Sequence, residues 1–343
     1  MTAPERWLLA LADPENPGVS LPRQKLAKDD ILPLCLHAEL HGILPAVLRN
    51  VDRLLRSEPG KLLVEPRLNP EAITAIQPLQ NLLGEKAAIV LFLKAESRRI
   101  RTAIQANDGA AILLKGEDFA ERLYQPPALR LFGDLDLLVR QNDWDRVNAA
   151  MSRLGYVPQE SSMKYASGYS EQTWQHPAMP GGSVEIHDNL VNSPTIRRGV
   201  SVKFEDLPLE RNTLGQLRPT PSGLLIIAAV HGAASHSFDK LQHLCDIAQI
   251  VRGRAGAIDE SSLRECLSKT GAGFSVALGL DLVARAFAET AAADLLARLE
   301  YRWPKRITRL LITPALIARS QGKRRRGVSW RRQTLRQMLK SRH

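Results

Sequence analysis

The spacing of apolar positions divides the chain into a helical part, a short mixed segment and a second helical part. Between Ile31 and Val51, apolar residues recur at helical intervals (Ala38, Leu40, Ile43, Leu44, Val47, Leu48), and Pro33 falls in the first turn, where proline is tolerated. A polar stretch broken by Pro59-Gly60 and Pro66 follows. A second helix is predicted from Pro70 to Asn107, interrupted near Pro78 and stopped by Asn107-Asp108-Gly109. The period then changes. Ala110 to Leu114 is an apolar run of strand length that ends in Lys115-Gly116, and the segment from Glu117 to Tyr124 returns to helical spacing with an acidic first turn. Asp134 to Val139 reads as a strand. Asn142 or Asp143 can cap a helix to Leu154, which Gly155 closes. Gln172–His176 and Ser183–His187 read as a hairpin. Beyond Pro219 the pattern is helical again, over Leu224–Ser235, Lys240–Arg252, Phe274–Ala288 and Ala291–Tyr301, with a break at Gly253–Ala257.

A chain of 343 residues has room for two or three packed units. The pattern suggests a helical region over 1–107, a mixed core over 108–215, a helical region over 216–300 and a basic tail over 301–343. The predicted class is therefore α+β, a small mixed sheet with helices flanked by helical regions. No apolar run approaches a membrane span, and the N-terminal stretch lacks a basic segment and carries Glu5, Asp13 and Glu15, unlike a secretory signal. Cys35, Cys245 and Cys266 are scattered, with no disulfide or zinc-ligand spacing. Together these features predict a cytoplasmic protein that is not integral to a membrane. The net charge of +11 is local in origin. Fourteen of the 47 Lys and Arg residues lie in 301–343 without a single Asp or Glu, leaving 33 basic against 36 acidic residues in the rest. The basicity thus describes the tail, not the core.

The candidate chemistry lies in the mixed segment. In a strand, residues two apart share a face, so Asp134 and Asp136 project together while Leu135 and Leu137 point the other way. Two adjacent carboxylates repel and call for a cation, and Mg²⁺ takes such oxygen ligands together with substrate phosphates. Glu185 and His187 share a face in the same manner, and a neighbouring strand would add Glu185 as a third carboxylate. Lys115-Gly116 stands at a strand-to-helix turn, where glycine admits a phosphate and lysine offers charge. Arg130 is a second candidate phosphate ligand.

These residues carry a resemblance. The segment from Leu113 to Tyr156, with Lys115-Gly116, Tyr124, Arg130, Asp134, Asp136, Val139 and Gly155-Tyr156, resembles the polymerase-β-type nucleotidyltransferase superfamily. More narrowly, it resembles a bacterial family of uncharacterised nucleotidyltransferases. Val184-Glu185-Ile186-His187 matches that family's third-carboxylate strand, and His231, His236 and Leu244–Ile247 match its following helical region. The likeness extends over about residues 30 to 252. It implies a polymerase-β-like core in which Asp134, Asp136 and Glu185 hold Mg²⁺ or Mn²⁺. The implied reaction is transfer of NMP from an NTP, ATP being the expected one, to an acceptor hydroxyl with release of pyrophosphate. One departure is Glu117, at a position where active members of the wider superfamily carry Gly or Ser. It either points away as a first-turn acid or weakens phosphate binding.

Other features keep other readings open. Glu117 is compatible with a catalytically degenerate nucleotide-binding protein whose tail docks on nucleic acid. His187 reads as a base or a support for the metal ligands, and equally as a hydrogen-bonded strand histidine. His231 is a candidate contact to base or acceptor. His236, His243 and Asp246 have spacings compatible with a phosphohydrolase but lack its adjacent His-Asp pair, so helix-face and capping roles are expected. In the tail, Lys323–Arg326 and Trp330-Arg331-Arg332 suit nucleic acid, an acidic partner or an anionic membrane surface, or simply solvation. Val328, Trp330, Leu335, Met338 and Leu339 could form one apolar face. The acceptor is left open among a small molecule, a peptide or protein, and RNA.

Overall fold

The computed structural model describes residues 1–15, 21–57, 70–159, 168–178, 183–319 and 330–340. The predicted break at Pro59 to Pro66, the turn residues 179–182, the basic run Lys323–Arg326 and Val328 lie outside these ranges.

The core is a mixed five-stranded sheet of β1 (Ala111–Leu113), β2 (Asp134–Val139), β3 (Val157–Pro158), β4 (Glu171–Gln175) and β5 (Ser183–His187), in the order β1-β2-β5-β4-β3. β2 and β5 run parallel at its centre and the other pairings are antiparallel. On one face, Leu135, Leu137, Val139, Val184 and Ile186 pack against two helices, α4 (Pro70–Ala106) through Leu93, Ile100 and Ile104, and α6 (Trp144–Arg153) through Val147, Ala150 and Met151. That burial fixes the register, because a slip of one residue would turn the carboxylates of β2 and β5 into this apolar layer. The opposite face carries Asp134, Asp136, Glu185 and His187. The class is α+β, as the pattern predicts.

The helices form one continuous second core. α1 (Ala3–Leu11) has a Thr2 capping box and packs with α2 (Ile31–Leu40), α3 (Leu44–Ser57) and α13 (Pro314–Ala318). α7 (Pro221–Val230), α8 (Leu241–Val251), α9 (Glu260–Thr270), α10 (Gly273–Phe287) and α11 (Thr290–Leu299) make the larger part of that core. The single helix expected from Ile31 to Val51 is two helices. Gly42 adopts a left-handed φ of 72° and breaks the run, and an added Cβ would collide with the Gln242 side chain. α4, in contrast, continues through Pro78, where an interruption is expected. Leu224–Ser235 is α-helical only to Val230 and continues as a π-helical turn over His231–Ser235. Several short elements escape the periodicity: the hairpin β6 (Leu209–Arg211) with β7 (Leu217–Pro219), α9, α12 (Lys305–Leu311) and α13.

The C-terminal segment is also seated. α14 (Trp330–Leu339) buries Leu335 and Leu339 in the helical core. Its end passes so close to Gly199 that any Cβ there would strike the carbonyls of Leu339 and Lys340. Only part of the expected apolar face is used, since Trp330 is 64 % exposed.

Candidate active site

The site is built on the central parallel pair. Asp136 stands opposite Glu185 and Leu138 opposite His187, so β2 and β5 deliver their polar side chains to one face of the sheet. β4 places Glu171 opposite His187 on the far side of β5. Above this face opens a cavity of about 670 Å³, lined among others by Lys115, Asp134, Asp136, Glu171, Glu185, His187, His231 and His236. Arg336 and Lys340 of the C-terminal segment also line it.

The charges interlock. Lys115 Nζ lies 3.2 Å from Asp136 Oδ2, 3.9 Å from Asp134 Oδ2 and 3.5 Å from His231 Nε2. Burial alone would lower the Lys115 pKa, but Asp136, Asp134 and Glu185 outweigh it and hold the ammonium above its ordinary value. His187 Nε2 is 3.3 Å from Asp136 Oδ1 and 3.8 Å from Glu185 Oε2. Despite burial, these carboxylates raise its pKa. Asp136 is buried, yet Lys115 and His187 keep it well below the usual carboxylate range. Asp134, at the cavity mouth, is shifted upward by burial and by the charge of Asp136. Glu185 is pushed up to about 7, first by burial and then by Asp136 and Glu171. One ligand atom each from Asp136, Glu185 and His187 lies within 4.8 Å of the others. The donor set is mostly oxygen, as a hard divalent cation requires, and such an ion would relieve the repulsion that lifts Glu185.

The family model for uncharacterised nucleotidyltransferases matches residues 34–288. The chain belongs to that family. Its core is therefore nucleotidyltransferase-like, and family membership supports nucleotidyl transfer as the class of activity. Comparison with curated proteins and with solved structures gives no match. Among the described residues, no helix of the chain is long and apolar enough to cross a membrane.

Arg130, Glu117 and Asp246 do not line the cavity. Arg130, read from the sequence as a phosphate ligand, is buried away from the cavity. Its Nε and Nη2 donate to the two oxygens of Asp246 at 2.8 and 2.9 Å, and Nη1 donates to the Gly116 carbonyl at 3.2 Å. The Tyr124 hydroxyl donates to the same carboxylate at 2.7 Å. Arg130 thus braces the Lys115-Gly116 turn from behind. Gly116 has φ 59°, a left-handed conformation that glycine adopts freely. Asp246, committed to Arg130 and Tyr124, does not form the phosphohydrolase site considered with His236 and His243. Glu117 is buried at the start of α5 (Glu117–Leu123) and does not line the cavity. Burial raises its pKa.

Glu171, Arg336 and Lys340 also line the cavity, and the sequence does not single them out. Glu171 precedes the expected strand Gln172–His176, and β4 is polar apart from Trp174, so no alternation marks it. The two cations belong to the basic tail, whose charge suits nucleic acid, an acidic partner, an anionic membrane surface or solvation.

Proposed function

We propose that this protein transfers the NMP group of an NTP, ATP being the expected donor, to an acceptor hydroxyl, using a divalent cation of the Mg²⁺ or Mn²⁺ type. The observation that carries the reading is the face-to-face register of Asp136 and Glu185 on parallel strands, with Asp134 and Lys115 beside them at one cavity. Asp134, Asp136 and Glu185 would hold the cation, with His187 supporting Asp136. When bound, the cation supplies the positive charge that neutralises the phosphates and the developing charge on the leaving group.

The chain's own groups account for the remaining roles. Lys115 stays protonated among the carboxylates and presents its ammonium to the triphosphate. Arg336 and Lys340, facing the cavity from the C-terminal segment, provide the phosphate charge that Arg130 does not. An acceptor oxygen attacks the α-phosphorus, the new O–P bond forms as the bond to the bridging oxygen breaks, and pyrophosphate leaves. Glu185, the carboxylate beside the acceptor oxygen in this reading, accepts the acceptor's proton and passes it to solvent. His231, beside Lys115 on the helical wall, is placed to meet the base or the acceptor.

The test is label transfer from each NTP carrying radioactive phosphorus at the α position, offered with Mg²⁺ or Mn²⁺ to metabolite, RNA and protein fractions. Label should enter one fraction from the wild type and none from the Asp134→Ala, Asp136→Ala double variant. Nucleotide binding without pyrophosphate release, by a folded and metal-competent protein, would overturn the proposal in favour of a binding protein.

A further inference from the structure

Three histidines outside the carboxylate cluster converge at the opposite wall of the cavity. His231 opens the π-helical turn that follows α7, His236 ends it, and His243 lies in the first turn of α8. The rings meet at centroid distances of 4.6, 5.4 and 4.9 Å, and one nitrogen from each lies within 4.8 Å of the others. His243 is 8 % exposed, and its Nε2 is buried without a hydrogen-bond partner. A fourth donor stands beside them. Asp239 Oδ1 is 3.7 Å from His236 Nδ1 and 3.9 Å from His243 Nε2, while Oδ2 faces Arg332 at 3.1 Å.

The backbone brings these groups together against local preference. Ser237 and Phe238, between His236 and Asp239, both take left-handed φ values, 52° and 50°, which non-glycine residues seldom adopt in succession. Phe238 is fully buried and anchors the turn, packing on Gly232, where a Cβ would come within 2.6 Å of its ring. The turn, the π-helical segment and α8 are thereby held in one arrangement that gathers imidazoles.

We propose that His231, His236 and His243, with Asp239 as the fourth donor, form a second metal site that takes a borderline transition ion of the Zn²⁺ class. Three imidazoles and one carboxylate are a nitrogen-rich set suited to Zn²⁺, Co²⁺ or Ni²⁺ and poorly suited to Mg²⁺, whereas the Asp136 and Glu185 cluster has the opposite preference. Donor nitrogens around a tetrahedral ion stand roughly 3.3 Å apart for bonds of about 2.0 Å, so small side-chain rotations close the observed set. His231 also neighbours Lys115. An ion on this wall therefore adds positive charge beside the ammonium that faces the carboxylates, and it pins the helical wall of the cavity.

The experiment uses the full chain stripped with a chelator. Zn²⁺ affinity is measured by competition with a chromogenic chelator, and Co²⁺ loading is followed by its visible absorption. Wild type should bind about one Zn²⁺ tightly at this site and give the intense Co²⁺ bands of tetrahedral nitrogen ligation. His236→Gln and His243→Gln should each weaken Zn²⁺ binding by about 100-fold or more, whereas Asp136→Asn with Glu185→Gln should retain it. Far-ultraviolet circular dichroism of each metal-free variant controls for folding. His236, which is partly exposed, carries the test if His243→Gln does not fold. Equal Zn²⁺ affinity in wild type and His236→Gln, or loss of binding only in the carboxylate variant, would overturn the proposal.

Discussion

Replacing Asp246 with alanine tests whether Arg130 is a structural brace or a phosphate ligand. In the structure Asp246 accepts two hydrogen bonds from the Arg130 guanidinium and one from Tyr124, and Arg130 sits 5.1 Å over the Phe119 ring. All of this is buried. Asp246→Ala therefore leaves a guanidinium without its counter-charge and a hydroxyl without its acceptor. Breaking one side of a buried ion pair costs about 3–5 kcal/mol, far more than the net worth of the pair against an apolar replacement. Arg130→Met with Asp246→Leu should accordingly be much less destabilising than Asp246→Ala. For a chain of 343 residues, the usual unfolding entropy converts that loss into a fall in melting temperature of about 4–7 °C. The assay is urea unfolding of wild type, Arg130→Met, Asp246→Leu and their double variant, read as a mutant cycle, with Asp246→Ala measured beside them. The reasoning is refuted if Asp246→Ala stays within about 1 kcal/mol of wild type while Arg130→Lys raises the nucleotide KM without changing stability. Arg130 would then be serving phosphate, as the sequence suggests.

Three further outcomes are expected. Glu185→Gln, which keeps the shape but cannot accept a proton, should lower kcat by about 10²–10⁴-fold with a smaller change in nucleotide affinity, measured by turnover against equilibrium binding; an unchanged kcat would remove Glu185 from the chemistry. Gly199→Val should push the C-terminal helix off its seat, raising the nucleotide KM and exposing 330–340 to limited proteolysis while the sheet core stays folded. An intact, protease-resistant terminus would contradict that seating. Stability should fall with acid. His41 is buried neutral, its Nδ1 accepting from Leu241 N–H and its Nε2 lying 3.2 Å from the Ala318 carbonyl, and burial lowers its pKa from 6.5 to about 4. Because the folded value lies below the unfolded one, the contribution is present above pH 6.5 and is lost as pH falls to about 4, for a total of about 3 kcal/mol. His236, lowered to about 4 chiefly by burial, adds in the same direction. Urea midpoints that do not move between neutral pH and this window would argue against both.

What could be read from the sequence divides along the range of the interaction. Asp134 and Asp136 on one strand face, and Glu185 with His187 on another, follow from a period of two and need no tertiary knowledge. The mixed sheet and most long helices follow from equally local patterns. The pairing of Arg130 with Asp246 is not legible locally, because the two lie 116 residues apart in sequence. An arginine near a carboxylate site suits phosphate and carboxylate equally well until the fold supplies one of them. The histidine cluster was visible as spacing, but helical arithmetic could not bring it together, because a π-helical turn and two left-handed residues set its geometry. The tail misled for another reason. Its many cations dominate the pattern, whereas its position is decided by two apolar residues, Leu335 and Leu339, and by the bare backbone of Gly199. Docking changes the meaning of the charge asymmetry along the chain. The cavity is lined by four carboxylates, Asp134, Asp136, Glu171 and Glu185, while the acid-free C-terminal segment brings Arg336 and Lys340 to it. These two cations share the cavity with the carboxylates of the D-x-D strand, so opposite charges stand together where the proposed function requires a cation and a polyphosphate.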